Sequence, residues 1–134
     1  MSLSDLFIRV GAPLANQRWS WGALRADGAV VLRVWQDRKE KIDGKWCMMV
    51  VHHEKYDENA DALGYRERLA HVEAIRSGSK CFMIMCLAID TKRSPRKVQS
   101  FNDQDIFVGG ALLEHQGNTY IELVDRYAIS RLTE

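Results

Sequence analysis

The residues best suited to chemistry lie in residues 16–37, which hold three of the four tryptophans of the chain. Arg18 precedes the first of them, Trp19, and Arg33 stands between the second and the third, Trp21 and Trp35. Aromatic rings and guanidinium groups together can hold a planar ligand, yet the same residue types also build the core of a small sheet. The stretch therefore indicates either a binding groove or a core.

Two Asp-Gly pairs, at residues 27–28 and 43–44, predict tight hairpin turns, because these residue types suit the positive φ angles of a two-residue type I′ turn. Such turns fix the register of the strands on either side, and residues paired across two strands share a face of the sheet. The first turn then places Trp19 and Trp21 on an apolar face with Leu32. We therefore expect these two tryptophans to belong to the core.

Trp35 is the tryptophan that this register separates from the others. The second turn places it opposite His52, and Arg33 lies two residues before it on the same face. An indole ring beside an arginine and a histidine can stack on a planar group and hydrogen-bond its edge. Trp35, Arg33 and His52 are therefore the predicted ligand-binding residues. The alternative is a partly exposed tryptophan with an arginine stacked on it.

A basic loop follows the most apolar stretch of the chain. Its four cations are Lys92, Arg93, Arg96 and Lys97. Lysine and arginine contacts to phosphate supply much of the affinity for nucleic acid, so these residues are predicted to hold a nucleic-acid backbone. A solvated loop, or a contact with an acidic protein, are the alternatives.

Catalytic and metal-binding patterns are weak. Asp90 and Lys92 match the carboxylate-x-lysine motif of magnesium-dependent nucleases, but the same D-x-K spacing occurs three times in this lysine-rich chain. The adjacent His52 and His53 would point to opposite faces of a strand and could not share one metal ion. We therefore predict no catalytic residue, no metal site and no cofactor.

Composition limits the class of protein. The chain has 134 residues, 46% of them apolar and 28% charged, which predicts one globular domain over residues 1–134. Proteins that bind nucleic acid through an overall basic surface are strongly positive, and the net charge of this chain is only +1. The sequence shows no apolar run of membrane-spanning length and no signal-peptide pattern, and its three cysteines have no disulfide-like spacing. These features predict a cytoplasmic protein with reduced thiols.

The elements that must position these residues are mostly strands. Period-two patterning predicts strands at residues 18–24, 29–36, 46–53, 98–101, 106–113 and 119–125. Residues 81–89 are apolar on both faces and predict a central strand, and residues 61–76 have the apolar spacing of a helix. Leu69, Val72 and Ile75 lie on one side of this helix, with Arg66 and Arg68 among the residues expected in solvent. Asn59 or Asp61 can cap its start, and Gly78 is placed to end it. The sequence thus predicts an α+β fold, a strongly bent antiparallel or mixed β-sheet or a small β-barrel, with one main helix at about 61–76.

This strand order, with early tryptophans and a helix before a buried strand, resembles the PUA-like group of small bent β-barrels. That group includes modules that read RNA or modified DNA bases with aromatic pockets. The resemblance and the residues above together favour a small non-catalytic domain that binds DNA or RNA, including an unstacked or modified base. The alternatives are a protein-interaction or homodimerisation domain and, third, a magnesium-dependent nuclease.

Overall fold

A computed structural model describes residues 1–56, 62–93 and 96–133. In these ranges the strands are β1 (Gly22–Leu24), β2 (Val30–Trp35), β3 (Lys39–Ile42), β4 (Lys45–Val51), β5 (Cys81–Ala88), β6 (Val98–Phe101), β7 (Asp105–His115) and β8 (Asn118–Ala128). The helices are α1 (Leu3–Arg9), α2 (His53–Tyr56) and α3 (Leu63–Arg76), with 3₁₀ turns at Gln36–Arg38 and Ile129–Arg131. No helix in this part of the chain is both long enough and apolar enough to span a membrane.

The strands form one mixed sheet in the order β1-β2-β5-β7-β8-β4-β3, and β6 pairs with β5. The central position of β5 follows from its composition, since the six residues from Cys81 to Cys86 are all buried. It pairs in parallel with β2 and antiparallel with β7. The predicted α+β fold, a bent sheet with one main helix, is confirmed. The barrel alternative is not, because the sheet is bent but does not close.

The two faces of the sheet carry separate apolar layers. Helix α3 covers one face, where alternate residues of β2 and β5 such as Leu32 and Met83 are fully buried. Helix α1 belongs to the other layer, into which it buries Leu6 and Phe7. The sequence reading missed α1, although Ser2 begins it with a capping box, a recognisable signal for a helix start.

Helix α3 confirms the predicted periodicity in part. Tyr65, Val72 and Ile75 are buried, but Leu69 is 37% exposed and Arg68, expected in solvent, is only 5% exposed. The predicted capping residues, Asn59 or Asp61, lie outside the described residues. At the other end of the helix, Gly78 has a φ of 114°, as expected for a glycine that ends a helix.

The first predicted hairpin is present, since β1 and β2 pair antiparallel, but its predicted two-residue turn is wrong. Its loop spans residues 26–28, because the Arg25 N–H donates to the Ala29 carbonyl at 2.8 Å. The Asp27 side chain accepts the Ala29 N–H at 3.0 Å, and Gly28 has a φ of 86° while Asp27 does not reach positive φ. This local hydrogen bond selects a longer loop. Consequently the predicted pairing is displaced by one residue. Strand β1 ends at Leu24 as predicted but begins only at Gly22.

The second hairpin turn is confirmed, since Asp43 and Gly44 have φ angles of 50° and 81° and join β3 to β4 directly. The strand that enters it is nevertheless β3 and not β2. The 3₁₀ turn at Gln36–Arg38 separates the two strands, so Trp35 lies opposite Cys86 of β5. The predicted pairing of Trp35 with His52 is therefore wrong.

Candidate functional site

The candidate site lies where the sheet fails to close. Strand β1 pairs only with residues 30–32 of β2, and β3 pairs only with residues 45–48 of β4. Strand β2 therefore extends past the end of β1 at residues 33–35, and β4 extends past the end of β3 at residues 49–51. Within the described ranges no backbone pairing joins β2 to β4 across the gap. We call this gap, between residues 33–35 of β2 and 49–51 of β4, the seam.

Arg68 of α3 bridges the seam. Its guanidinium donates to the Val50 carbonyl of β4 at 2.7 Å and to the Arg33 carbonyl of β2 at 2.6 Å. A third bond, at 3.0 Å, goes to the carbonyl of Trp21. Burial, reinforced by the charge of Arg33, lowers the pKa of Arg68 to about 10, which leaves it protonated at neutral pH. One side chain thus replaces the strand-to-strand hydrogen bonds that closure would have supplied.

A cavity of about 140 Å³ opens at the seam. Its aromatic lining consists of Trp21, Trp35, Tyr56 and Tyr65. Its cationic lining consists of Arg33, Arg38, Lys55, Arg68 and Arg96. The described lining contains no carboxylate, and the one ion pair that it makes joins Arg96 to Asp37, which lies outside the described lining.

Arg33 is a half-buried cation of the lining with an unused hydrogen-bond donor. Its Nε is buried and has no hydrogen-bond partner in the described part of the chain. Burial lowers the pKa of Arg33 by removing solvent from its charged form, and Cys86 and Tyr56 oppose this effect only in part. Its Cζ lies 5.1 Å from the ring centroid of Trp35, which orients the guanidinium group. Arg33 is therefore held in place but not satisfied.

The Trp35 ring also contacts a second arginine, Arg96. The Arg96 guanidinium lies 5.5 Å from the ring centroid and makes a two-pronged ion pair with Asp37, at 2.6 and 2.8 Å. On the side of the sheet covered by α1, the Trp35 ring packs against the apolar layer. Trp35 thus packs against two arginines, as in the alternative reading of a partly exposed tryptophan with an arginine stacked on it. It also lines the cavity.

The aromatic wall of the cavity depends on a glycine. Tyr56 stacks on Tyr65 with ring centroids 5.0 Å apart, and Trp21 lies 5.3 Å from Tyr56. A Cβ added to Gly64 of α3 would overlap the Trp21 indole ring. Only glycine lets the helix approach this ring so closely. Trp21, expected in the core, packs against the apolar layer under α3 and also lines the cavity.

The two neighbouring histidines have separate roles. His52 lines the cavity, and its Nδ1 accepts the Lys55 N–H at 3.2 Å. Burial and the nearby charges of Arg38 and Lys55 lower the pKa of His52. The imidazole of His53 points elsewhere and bridges Tyr65 and Thr119, at 3.0 and 2.8 Å. No cluster of potential metal ligands occurs among the residues that the structure describes.

The predicted backbone-binding loop does not act as one cluster. Arg96 lines the seam cavity, whereas Lys92, Arg93 and Lys97 are exposed. The Asp90 carboxylate accepts the Lys92 N–H at 2.9 Å and so closes a local turn. The structure therefore brings Arg33, Trp35, His52 and Arg96 to one cavity, and leaves the other three cations of the loop in solvent.

Other candidate residues lie away from the cavity lining. All three cysteines are free and buried, and burial raises the pKa of Cys81 and Cys86 to about 12. Such thiols carry almost no nucleophilic thiolate at neutral pH. Trp19, expected in the core, is half-buried and belongs to neither apolar layer.

Arg68 is the site residue that sequence reasoning missed although a signal existed. It lies three residues after Tyr65 and four before Val72, which are both buried. An arginine at this spacing falls on the apolar face of a helix, where it must find acceptors inside the protein. No equivalent signal marks Tyr56, Lys55 or Arg38, since each reaches the cavity through tertiary folding.

Comparison of the chain with protein-family models, with curated proteins and with solved structures finds no match. The function of the protein must therefore be inferred from its site alone.

Proposed function

We propose that this protein binds single-stranded nucleic acid by taking one unstacked base and its phosphate into the seam cavity. The observation that carries this proposal is the described lining, which combines five cationic side chains with four aromatic rings and no carboxylate. Such a lining favours a ligand that is both flat and anionic. A nucleotide has both properties.

The arginines suit the phosphate. A guanidinium presents paired donors that match phosphate oxygens, and Arg33 has a buried Nε with no partner in the described ranges. Its position over Trp35 reduces the conformational entropy that binding would cost. We assign Arg33 as the main phosphate contact, with Arg38 and Lys55 contributing charge at the same cavity.

The aromatic wall suits the base. Tyr56 stacks on Tyr65, and Trp21 packs against Tyr56 at a tilt of 47°, so three adjoining rings line the cavity. A cavity of about 150 Å³ is large enough for benzene, so one six-membered ring fits the observed volume of about 140 Å³. A base can enter only when it is out of a duplex stack, and this requirement favours single strands or flipped bases over regular helices.

The test is a titration with eight-residue single-stranded DNA and RNA oligonucleotides at low salt, followed by tryptophan fluorescence. Trp21 and Trp35 line the cavity and should respond to occupancy. We expect a Kd below ~0.1 mM that weakens as salt is raised. Arg33→Gln should weaken binding about tenfold or more, because a hydrogen bond to a charged group is lost.

Arg76→Gln is the matched control, since Arg76 is exposed at the end of α3 and is not part of the described lining. It should leave the Kd unchanged. Binding no tighter than ~0.1 mM at low salt, weaker than ordinary non-specific affinity, would refute the proposal. Equal losses in Arg33→Gln and Arg76→Gln would also refute it, because binding would then report overall charge and not the cavity.

A further inference from the structure

A second cavity lies across the 3₁₀ turn at Gln36–Arg38 from the seam cavity. It has a volume of about 380 Å³, and its lining includes Gln36, Lys39, Leu87, Ser100, Phe107 and Arg126. Residues of one short segment alternate between the two cavities. Trp35 and Arg38 line the first, whereas Gln36 and Lys39 line the second. The turn is therefore the common wall of both.

The second cavity has the chemistry of a polar, cationic subsite. The Lys39 ammonium lies 5.1 Å from the ring centroid of the half-exposed Trp46, and Lys39 belongs to an edge strand of the sheet. Arg126 lies 5.0 Å from the ring centroid of Phe107 and is paired with Asp105 at 2.7 Å. Lys39 is therefore the lining cation without a carboxylate partner among the described residues, its ammonium resting on Trp46 beside the cavity, and Leu87 and Phe107 supply apolar surface.

The chain segment between the two cavities supplies one cation to each of them. Arg38 and Lys39 are consecutive residues, one in each cavity, and consecutive Cα atoms lie about 3.8 Å apart. Their long side chains extend this separation further. Two successive phosphates of one strand could therefore meet one cation each while the chain crosses the turn.

We propose that the second cavity is a subsite for the neighbouring nucleotide, so that one dinucleotide step straddles Gln36–Arg38. Arg38 contacts the phosphate on the seam side, and Lys39 contacts the phosphate on the far side. This inference rests on the proposed function of the seam cavity. It extends that function by predicting that the site binds at least two nucleotides and that the strand crosses the turn along a fixed path.

The test compares thymidine 5′-monophosphate with the dinucleotide pTpT at low salt, by the same fluorescence titration. We expect pTpT to bind about tenfold tighter than the mononucleotide, the gain of roughly one charge-assisted hydrogen bond. Lys39→Gln should remove most of that gain and leave mononucleotide binding unchanged. Ser100→Trp, which places bulk in the second cavity, should have the same selective effect.

Lys41→Gln is the matched control. Lys41 lies two residues along β3, also over the Trp46 ring at 5.9 Å, but it is not part of the second lining. It should change neither affinity. Equal affinities for the two ligands would overturn the inference and leave the proposed function standing. Equal losses in Lys39→Gln and Lys41→Gln would also overturn it. Absence of binding to either ligand and to longer oligonucleotides would instead refute the proposed function.

Discussion

The seam cavity and the loop after β5 are both rich in cations, but they hold them differently. At the seam, Arg68 donates to three carbonyls and Arg33 lies against Trp35. In the loop, Lys92 and Arg93 are exposed and Lys97 is equally open to solvent. The seam cations come from four separate parts of the chain, whereas the loop cations are close in sequence.

Cations that are close together in a sequence therefore need not form the densest cationic cluster in the folded protein. Exposed lysines must lose side-chain entropy to bind, and salt screens their attraction. Cations packed against rings and carbonyls have already lost that freedom on folding, so a ligand gains more from each of them. The seam is therefore expected to dominate both stability and binding.

The largest effect should come from Arg68. Arg68→Met keeps the length of the side chain but removes the donor that the carbonyls of Val50 and Arg33 share, while the Trp21 carbonyl still accepts the Arg33 N–H at 2.8 Å. We expect a loss of about 3 kcal/mol in the free energy of unfolding, measured by urea denaturation. Arg66→Met, at an exposed position of the same helix, should cost less than ~0.5 kcal/mol. Similar losses in both variants would contradict the role of the bridge.

An intermediate effect should appear as a pH dependence of stability. His71 is 8% exposed, and burial together with the charge of Arg68 lowers its pKa to about 4. In the unfolded chain its pKa is about 6.5, so the unfolded state binds the proton more readily. The stability that neutral His71 permits is complete above about pH 6.5 and is lost as the pH falls through about 4.

Urea denaturation at pH 7 and at pH 4.5 checks this expectation. The wild-type protein should lose up to about 2 kcal/mol more than His71→Leu over that interval, after allowing for partial access of water. His52, whose pKa is also lowered, remains in both proteins and contributes a smaller common slope. If both proteins lost the same stability, burial and the charge of Arg68 would not be lowering the pKa of His71.

The smallest effect is expected in the basic loop. The triple variant Lys92→Gln, Arg93→Gln and Lys97→Gln removes three exposed charges, and exposed charges contribute little at physiological salt. The Kd for an eight-residue oligonucleotide at ~0.15 M salt should rise less than about threefold. A larger loss than that caused by Arg33→Gln would reverse the comparison and make the loop the main contact.

Local patterns predicted several elements well. The apolar run around Met83 and Ile84 correctly indicated a central strand, because burial on both faces requires apolar residues at every position. The turn at Asp43 and Gly44 was also correct, since its positive φ angles are a local preference of these residue types. The prediction of a two-residue turn at residues 27–28 was wrong, because the Asp27 carboxylate accepts the Ala29 N–H and this bond favours a longer loop.

The candidate site was predictable only in part. Arg33, Trp35 and His52 do line one cavity, but the pairing used to group them is wrong. They meet because the open edge of β2 faces the chain after β4. Two strands that are not paired leave no periodic pattern in the sequence, so this meeting could not be predicted. Whether these residues bind nucleic acid stays a prediction for the titrations above.

By itself, the sequence determined the class of fold, the main helix, the central strand and the presence of aromatic and cationic residues in quantity. These features follow from local preference and from the need to bury apolar side chains. The tertiary structure alone decided that the sheet stays open, that Arg68 bridges the gap, and that cations distant in the chain converge there. That outcome depends on the lengths of β1 and β3, since a strand edge left unpaired must find its hydrogen bonds elsewhere in the fold.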